Sequence, residues 1–252
     1  AHTLRIADDA EVTVGSMIGG IADETGSTGS TGYGTVSIGS GAVLAIGTAG
    51  TLSTALELGS GSGLVLADGG AGSPNTLAGA ITLSTEGDGQ ARITGGGTVL
   101  LAGTIASSDI AGNTSALTLE NASFDASGAS FADTVNLTLG TADASGTATL
   151  FDLGSDASKA IALAGLNVLS DAAVKGIAGQ TLSFGSGSLA GALDGDFTVR
   201  LTGGADGAGR VSLDVTDTAD LGGVLFSVAG GTFGLNGLAG TNSIAISGGS
   251  LT

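Results

Sequence analysis

Apolar residues alternate with small or polar residues along most of the chain. In TVSIG (35–39), VLAIG (43–47) and ALELG (55–59), apolar side chains stand two residues apart and a glycine follows. This period is that of a β-strand with one buried face, and the Gly, Ser, Asn and Asp residues between such segments supply turns. The pattern therefore predicts an all-β protein made of many short strands.

The spacing of these segments indicates a repeat. Four apolar pairs follow one another at equal steps along the chain: Ile81/Leu83, Val99/Leu101, Leu117/Leu119 and Val135/Leu137. Two earlier pairs are separated by a slightly longer step: Val36/Ile38 and Leu56/Leu58. A parallel β-solenoid (β-helix) uses coils of about this length and stacks equivalent side chains. We therefore expect coils of roughly 18–20 residues. Residues 34–52 are predicted to form one coil, with these side chains pointing inward: Val36, Ile38, Val43 or Leu44, and Ile46.

A β-sandwich is the alternative fold, because its strands also recur every 8 to 12 residues or so. After Phe197 the apolar segments lie closer together. We therefore divide the chain into a solenoid over 1–178 and a part over 179–252 that either continues it or forms a second β-rich segment of shorter spacing. One short helix is predicted near 170–178, with Ser170 as its N-cap and Gly179 as its stop.

Composition and charge narrow the functional classes. The chain has no cysteine and one histidine, His2, so a zinc site built from several Cys or His ligands is excluded. A Ser-His-Asp triad would have to use His2, beside the chain end. The net charge is −17 and the six basic residues do not cluster, which argues against nucleic acid as a partner. Every apolar run is interrupted before it is long enough to span a bilayer, so no transmembrane segment is predicted.

Pairs of acidic residues are the candidate metal ligands. Glu86 and Asp88 form one pair, and Asp194 and Asp196 flank a glycine in another. Calcium takes several oxygen ligands from flexible loops, and these four residues are therefore candidate calcium sites. The plainer interpretation is that acidic turns stay in water and oppose pairing between strand edges. No other cofactor and no catalytic residue is predicted.

Three glycine-rich stretches carry a resemblance to known proteins. They are GSGAVLAIGTAGTLS (39–53), GGGTVLLAGTIA (95–106) and GSGSLAGALDGDFTVRLTGG (185–204). They resemble the repeats of bacterial autotransporter passengers and filamentous-haemagglutinin-like adhesins. The resemblance implies a right-handed parallel β-helix that is exported, and hence an extracellular or bacterial cell-surface location. We expect a secreted or cell-surface protein with a structural or adhesive role, and not an enzyme.

Two other functions remain as alternatives. A carbohydrate-active β-helix enzyme would use paired carboxylates, but the chain has no tryptophan and one tyrosine to form a sugar platform. An ice-binding solenoid would use ladders of Thr-x-Thr, which occurs at 147–149 and 216–218 without regular stacking. The expected partners are further coils of a longer parent chain or identical copies that stack into filaments or a surface layer, since solenoid ends expose strand edges. Surface glycans are another candidate partner.

Overall fold

A computed structural model describes residues 3–17, 34–68, 74–84, 90–108, 114–141, 147–204, 207–214, 224–236, 243–246 and 250–251. Within these ranges the chain consists of β-strands and turns, without a helix. The first strands are β1 (Thr3–Ile6), β2 (Glu11–Met17), β3 (Thr35–Ile38), β4 (Val43–Ala49), β5 (Thr51–Leu52), β6 (Ala55–Gly59), β7 (Gly63–Leu66), β8 (Asn75–Leu77), β9 (Ile81–Ser84), β10 (Ala91–Gly95), β11 (Thr98–Leu101), β12 (Thr104–Ser107) and β13 (Ser115–Glu120). They are followed by β14 (Ser123–Asp125), β15 (Ser130–Phe131), β16 (Val135–Leu139), β17 (Thr149–Asp152), β18 (Ala160–Val168), β19 (Ala172–Lys175), β20 (Thr181–Leu189), β21 (Ala192–Asp194), β22 (Thr198–Leu201), β23 (Arg210–Asp214), β24 (Leu225–Val228), β25 (Thr232–Asn236), β26 (Ser243–Ile246) and β27 (Ser250–Leu251).

The strands form three sheets around an apolar interior. Sheet 1 has the order β1-β3-β6-β9-β12-β15, and sheet 3 has the order β21-β19-β17-β14-β11-β8-β5. Sheet 2 runs along β2-β4-β7-β10-β13-β16-β18-β20-β22-β24-β26, with β23, β25 and β27 on a branch. From β3 to β17 the chain visits sheets 1, 2 and 3 in turn, and strands pair in parallel after each circuit. This confirms the parallel β-solenoid and excludes the β-sandwich, whose sheets are antiparallel.

Equivalent inward side chains lie above one another. In sheet 1, Val36, Leu56, Ile81 and Ile105 are successive register partners, and none is more than 2% exposed. Full burial of an aliphatic side chain contributes about 1.5–3 kcal/mol. Such columns therefore make the interior the main source of stability.

The coil predicted at 34–52 is present as β3, β4 and β5. Its side chains that are no more than 1% exposed include Val36, Ile38, Leu44 and Ile46. Val43 is only half buried and faces outward, so the choice between Val43 and Leu44 falls on Leu44.

Coil length varies more than the spacing predicts. Val36 pairs with Leu56, a step of the expected length. Leu56 then pairs with Ile81, and Gly63 pairs with Arg92, and both of these steps are longer than predicted. Loops of different length are tolerated at the corners because the entropy of closing a loop grows slowly with its length.

The four equally spaced pairs do not stack on one another, and that part of the expectation is wrong. Ile81 lies in sheet 1, Val99 in sheet 3, and Leu117 and Val135 in sheet 2. Leu117 pairs with Leu137 and not with Val135, the position predicted. All three sheets show the same alternation, so the periodicity by itself does not distinguish strands of one sheet from strands of another.

The helix expected near 170–178 is also absent, because Ala172–Lys175 form strand β19 of sheet 3. Ala172 and Val174 point inward and are at most 4% exposed. The carboxylate of Asp171 accepts hydrogen bonds from the backbone N–H and the hydroxyl of Thr141. Alternate burial and pairing with both neighbouring coils therefore outweigh the local helix signals.

Strands β18 and β20 run through the corner between sheets 1 and 2. Residues 165–168 of β18 pair with β16, while its first half lies next to β15. Residues 181–184 of β20 pair with β22, and residues 187–189 pair with β23. The two paths continue as β22-β24-β26 and β23-β25-β27, so parallel stacking extends beyond residue 179. Whether 179–252 is a separate domain stays a prediction.

Candidate functional site

Two of the four candidate calcium ligands lie in the described residues. Asp194 ends β21 and Asp196 follows Gly195, and neither side chain is fully buried. Glu86 and Asp88 lie outside the described residues. Among the residues that are described, no three acidic, histidine or cysteine side chains converge to hold a metal ion. Calcium binding at these acids stays a prediction.

Asp194 belongs to a charged column on the outer face of sheet 3. Register pairing places Asp125, Asp152, Lys175 and Asp194 on four successive strands, β14, β17, β19 and β21. Lys175 Nζ donates to Asp152 Oδ2 at 3.0 Å, and the two side chains are 48% and 24% exposed. The lysine thus stands between two carboxylates in a column of acidic residues. Lys175 therefore offsets part of the negative charge of the three aspartates and gives Asp194 a basic neighbour.

The pKa shifts of this region have local causes. The hydrogen bond to Asp152 raises the pKa of Lys175, and the charges of Asp152, Asp194 and Asp125 add to the effect. The Ser158 hydroxyl and then its backbone N–H lower the pKa of Asp156 by donating to its carboxylate. Both side chains lie in water at the surface, where such shifts accompany structural hydrogen bonds and do not mark a catalytic cleft.

Other acids hold the corners of successive coils together. Asp8 Oδ1 accepts a hydrogen bond from the Ser40 N–H at 3.0 Å. The Asp8 carboxylate occupies the space that a side chain at Gly39 would need, 2.4 Å from its ideal Cβ position. The Asp171 carboxylate stands in the same relation to Gly140, at 2.2 Å. An acid on one coil is therefore matched by a glycine on the adjoining coil, which accounts for part of the abundance of both residues.

A shallow groove crosses the outer face of sheet 2. Gly63 has no side chain and leaves a notch between Val43 and Arg92, its register partners on either side. The groove has a volume of about 630 Å³ and is also lined by Val65 and Gln90. A second groove of about 470 Å³ lies at the corner between sheets 1 and 2 and is lined by charged residues that include Arg5, Asp8 and Glu57.

Short polar side chains form a ladder farther along sheet 2. Thr118, Thr138, Asn167 and Ser188 are register partners on β13, β16, β18 and β20. Ser188 Oγ donates to Asn167 Oδ1 at 3.1 Å, and Thr118 Oγ1 donates to the side-chain oxygen of Gln90 at 2.8 Å. The result is a strip of hydroxyl and amide groups on four successive strands. Sequence inspection missed it because unequal steps along the chain separate its members.

One sequence motif, GSGSLA, and the single histidine, His2, gain no support as sites. GSGSLA (185–190) resembles a dinucleotide-binding turn, but most of it lies within β20 and strand β21 follows it, with no helix to bind a pyrophosphate. His2 lies outside the described residues.

No protein-family model matches the chain, and searches among curated proteins and solved structures find no match. In the ranges described here, no helix is long and apolar enough to cross a bilayer.

Proposed function

We propose that the chain is a structural and adhesive β-solenoid of a secreted or cell-surface protein. The observation that carries the proposal is the parallel stack itself. Ten strand-to-strand steps lead from β2 to β26, and at about 4.8 Å each they give a rod about 50 Å long. Outward positions along this rod carry mostly short side chains, as in Thr82, Thr138 and Ser188. A rod of this kind suits a spacer that displays a surface at a distance.

The adhesive part of the proposal depends on the polar ladder. Thr138, Asn167 and Ser188 present hydroxyl and amide groups at a regular spacing of about 4.8 Å. Glycans offer hydroxyl groups that pair with such donors and acceptors. The resemblance to autotransporter passengers and haemagglutinin-like adhesins supports an extracellular or bacterial cell-surface location for this contact.

Small-angle scattering tests the structural role. An adhesion assay on the immobilised chain tests the adhesive role. Dilute chain should scatter as a rod, and immobilised chain should retain glycan-coated beads. Changing Thr138→Ala and Ser188→Ala together should lower bead retention. The matched control changes Thr82→Ala and Thr104→Ala on the outer face of sheet 1 and should leave retention unchanged. A compact scattering profile would contradict the rod, and equal retention by both variants would contradict the role of the ladder.

An ice-binding solenoid is the second candidate, because the same ladder repeats hydroxyl groups, those of Thr118, Thr138 and Ser188, on stacked strands. Thermal hysteresis that disappears with the Thr138→Ala and Ser188→Ala double variant would favour it over adhesion. No comparable observation on the described residues favours an enzyme. Turnover of a polysaccharide or ester that is lost on substitution of one acid pair, such as Asp194 and Asp196, would overturn the structural proposal.

A further inference from the structure

Gly63 lies at an outward position of sheet 2 where the fold itself does not require glycine. Its φ lies outside the left-handed region, and the atom nearest to an ideal Cβ there is Val43 Cγ2 at 3.5 Å, an ordinary van der Waals contact. The register is regular, with Val43 on one side and Arg92 on the other, so no bulge accounts for the residue. Glycine weakens a strand, and one use of it there is to let a ligand approach the sheet closely.

The notch at Gly63 opens into the groove of about 630 Å³ on sheet 2. Its walls combine two half-buried valines, Val43 and Val65, with two exposed polar residues, Gln90 and Arg92. Small-ligand sites have volumes of about 300–1,000 Å³ and join apolar surface to a few polar groups. The groove therefore has the size and the composition of such a site.

Arg92 makes this groove positive in a chain whose net charge is −17. Within the described residues, no acid lines the groove and Arg92 forms no ion pair. Glu120, on the neighbouring strand, accepts a hydrogen bond from Thr94 Oγ1 at 2.7 Å. Gln90 Oε1 accepts from Thr118 Oγ1 at 2.8 Å, which leaves the amide N–H groups of Gln90 as donors. A cation and additional N–H donors suit a carboxylate.

The register row that contains the notch continues into the polar ladder. Arg92 pairs with Thr118, and the row then passes through Thr138, Asn167 and Ser188. A ligand that follows this row meets one cation and then uncharged hydroxyl and amide groups at a spacing of about 4.8 Å. A saccharide chain with one carboxylate sugar carries its groups in the matching order.

We propose that the groove at Gly63 binds the carboxylate-bearing sugar of an acidic glycan. The proposal rests on the proposed adhesive role and names the class of glycan. The Arg92 guanidinium holds the carboxylate through paired N–H donors, and Gln90 supplies a further donor. The C–H face of the sugar packs against Val43 and Val65, in space that a side chain at position 63 would fill. The neighbouring sugars then reach the polar ladder.

Calorimetric titration with two matched saccharides measures the preference. One probe is a short glucose oligosaccharide that ends in glucuronate, and the other ends in glucose and lacks only the carboxylate. The wild type should bind the glucuronate probe at least about tenfold more tightly. Arg92→Gln should remove this preference, and Arg92→Lys should keep part of it, because lysine retains the charge without the paired donors. Arg200→Gln removes the same charge from an exposed position of β22 in the same sheet and should leave the preference unchanged.

A second variant separates ligand contact from stability. Gly63→Val fills the notch with a residue that suits a strand, so the melting temperature should equal or exceed that of the wild type. The affinity for the glucuronate probe should nevertheless fall at least about tenfold. Gly15→Val makes the same change at an exposed position of β2, where no atom lies within 4 Å of the new Cβ, and should keep wild-type binding.

The outcomes distinguish this proposal from the adhesive role of the ladder. Equal affinity of the wild type for the two probes, or a preference that Arg92→Gln retains, would overturn the proposal. If both probes bind equally and the Thr138→Ala and Ser188→Ala double variant loses both, the ladder remains adhesive and only the class of glycan is wrong. Glucuronate binding that depends on Arg92 and not on the ladder would support the groove as a site and contradict the role of the ladder.

Discussion

Two kinds of corner connect sheet 1 to sheet 2, and they use glycine for different reasons. In the turned corners, between β3 and β4 and between β6 and β7, Gly41 and Gly61 have φ values of 68° and 70°. Side chains with a Cβ avoid this left-handed conformation. A Cβ at Gly61 would meet nothing closer than 3.7 Å, so the backbone conformation alone requires glycine there.

In the bent corners, one long strand passes from one sheet to the next. An ideal Cβ at Gly187 of β20 would lie 1.8 Å from the carbonyl oxygen of Leu166 in β18. At Gly185 the corresponding distance to the Ala164 carbonyl oxygen is 2.7 Å. At Gly185 glycine is required because two backbones approach each other, and at Gly187 the close approach is joined by a positive φ of 150°. The comparison shows that one residue type solves two different problems, and that its sequence context does not say which.

The largest expected effect tests whether the strands that follow the two kinds of corner pack equally well into the core. Leu44 follows a turned corner and Leu166 follows a bent one, and both are at most 1% exposed. Leu44→Ala and Leu166→Ala should each lower the free energy of unfolding by about 2–5 kcal/mol, because each leaves a cavity. Urea denaturation measures both. A loss at one site that is several times smaller than at the other would show that the two corners do not support equivalent cores.

The second-largest loss of stability is expected from crowding at the bent corner. Gly187→Ala places a methyl group against the Leu166 carbonyl oxygen and forces alanine to a φ of 150°, and we expect the free energy of unfolding to fall by about 2–3 kcal/mol. Ser188→Ala is the neighbouring control and removes only a surface hydroxyl that bonds to Asn167. Thermal unfolding compares the two variants. Equal melting temperatures would mean that the backbones at this corner separate at little cost.

The turned corner should be more tolerant. Gly61→Ala keeps free space around the new methyl group but forces alanine into the left-handed region, which costs about 1–2 kcal/mol. Gly61→Asn should cost less, because asparagine adopts this conformation more readily. If asparagine destabilises the chain as much as alanine does, the demand at this position is spatial and the distinction between the corners fails.

The smallest expected effect lies where the two kinds of coil meet. Asp152 belongs to the β15-β16-β17 coil, and Lys175 belongs to the coil of the bent strand β18. The raised pKa of Lys175 means that its contribution is present below the ordinary lysine value of 10.5 and is lost as the pH rises through the raised value. Both side chains are solvent-accessible, so Lys175→Gln should lower the melting temperature only slightly at neutral pH.

A pH series measures this contribution. The difference in melting temperature between the wild type and Lys175→Gln should disappear above the raised pKa and should shrink with added salt. Asp152→Asn removes the charged partner of Lys175. In that background, Lys175→Gln should cause no further change in melting temperature. A gap that persists at high pH would show that the packing of the lysine side chain matters more than its charge.

The candidate sites were less accessible to sequence reasoning than the fold. The alternation predicted the outward position of Thr138 and the inward position of Leu137. It did not predict that Thr138 stands beside Asn167 and Thr118, because the coils differ in length. In the sequence, the acidic neighbour of Asp194 is Asp196, whereas its neighbour across the strands is Lys175.

By itself, the sequence determined that this chain forms short β-strands and that alternate residues of each strand face inward, and it favoured parallel coils over a β-sandwich without excluding the sandwich. Those properties follow from the two-residue period and from small residues at the corners, both of which are local. Only the tertiary structure decided which strands are neighbours, that 172–175 form a strand, and how each glycine is used. The physical reason is that register between coils depends on loops of variable length and on contacts with the coils on either side.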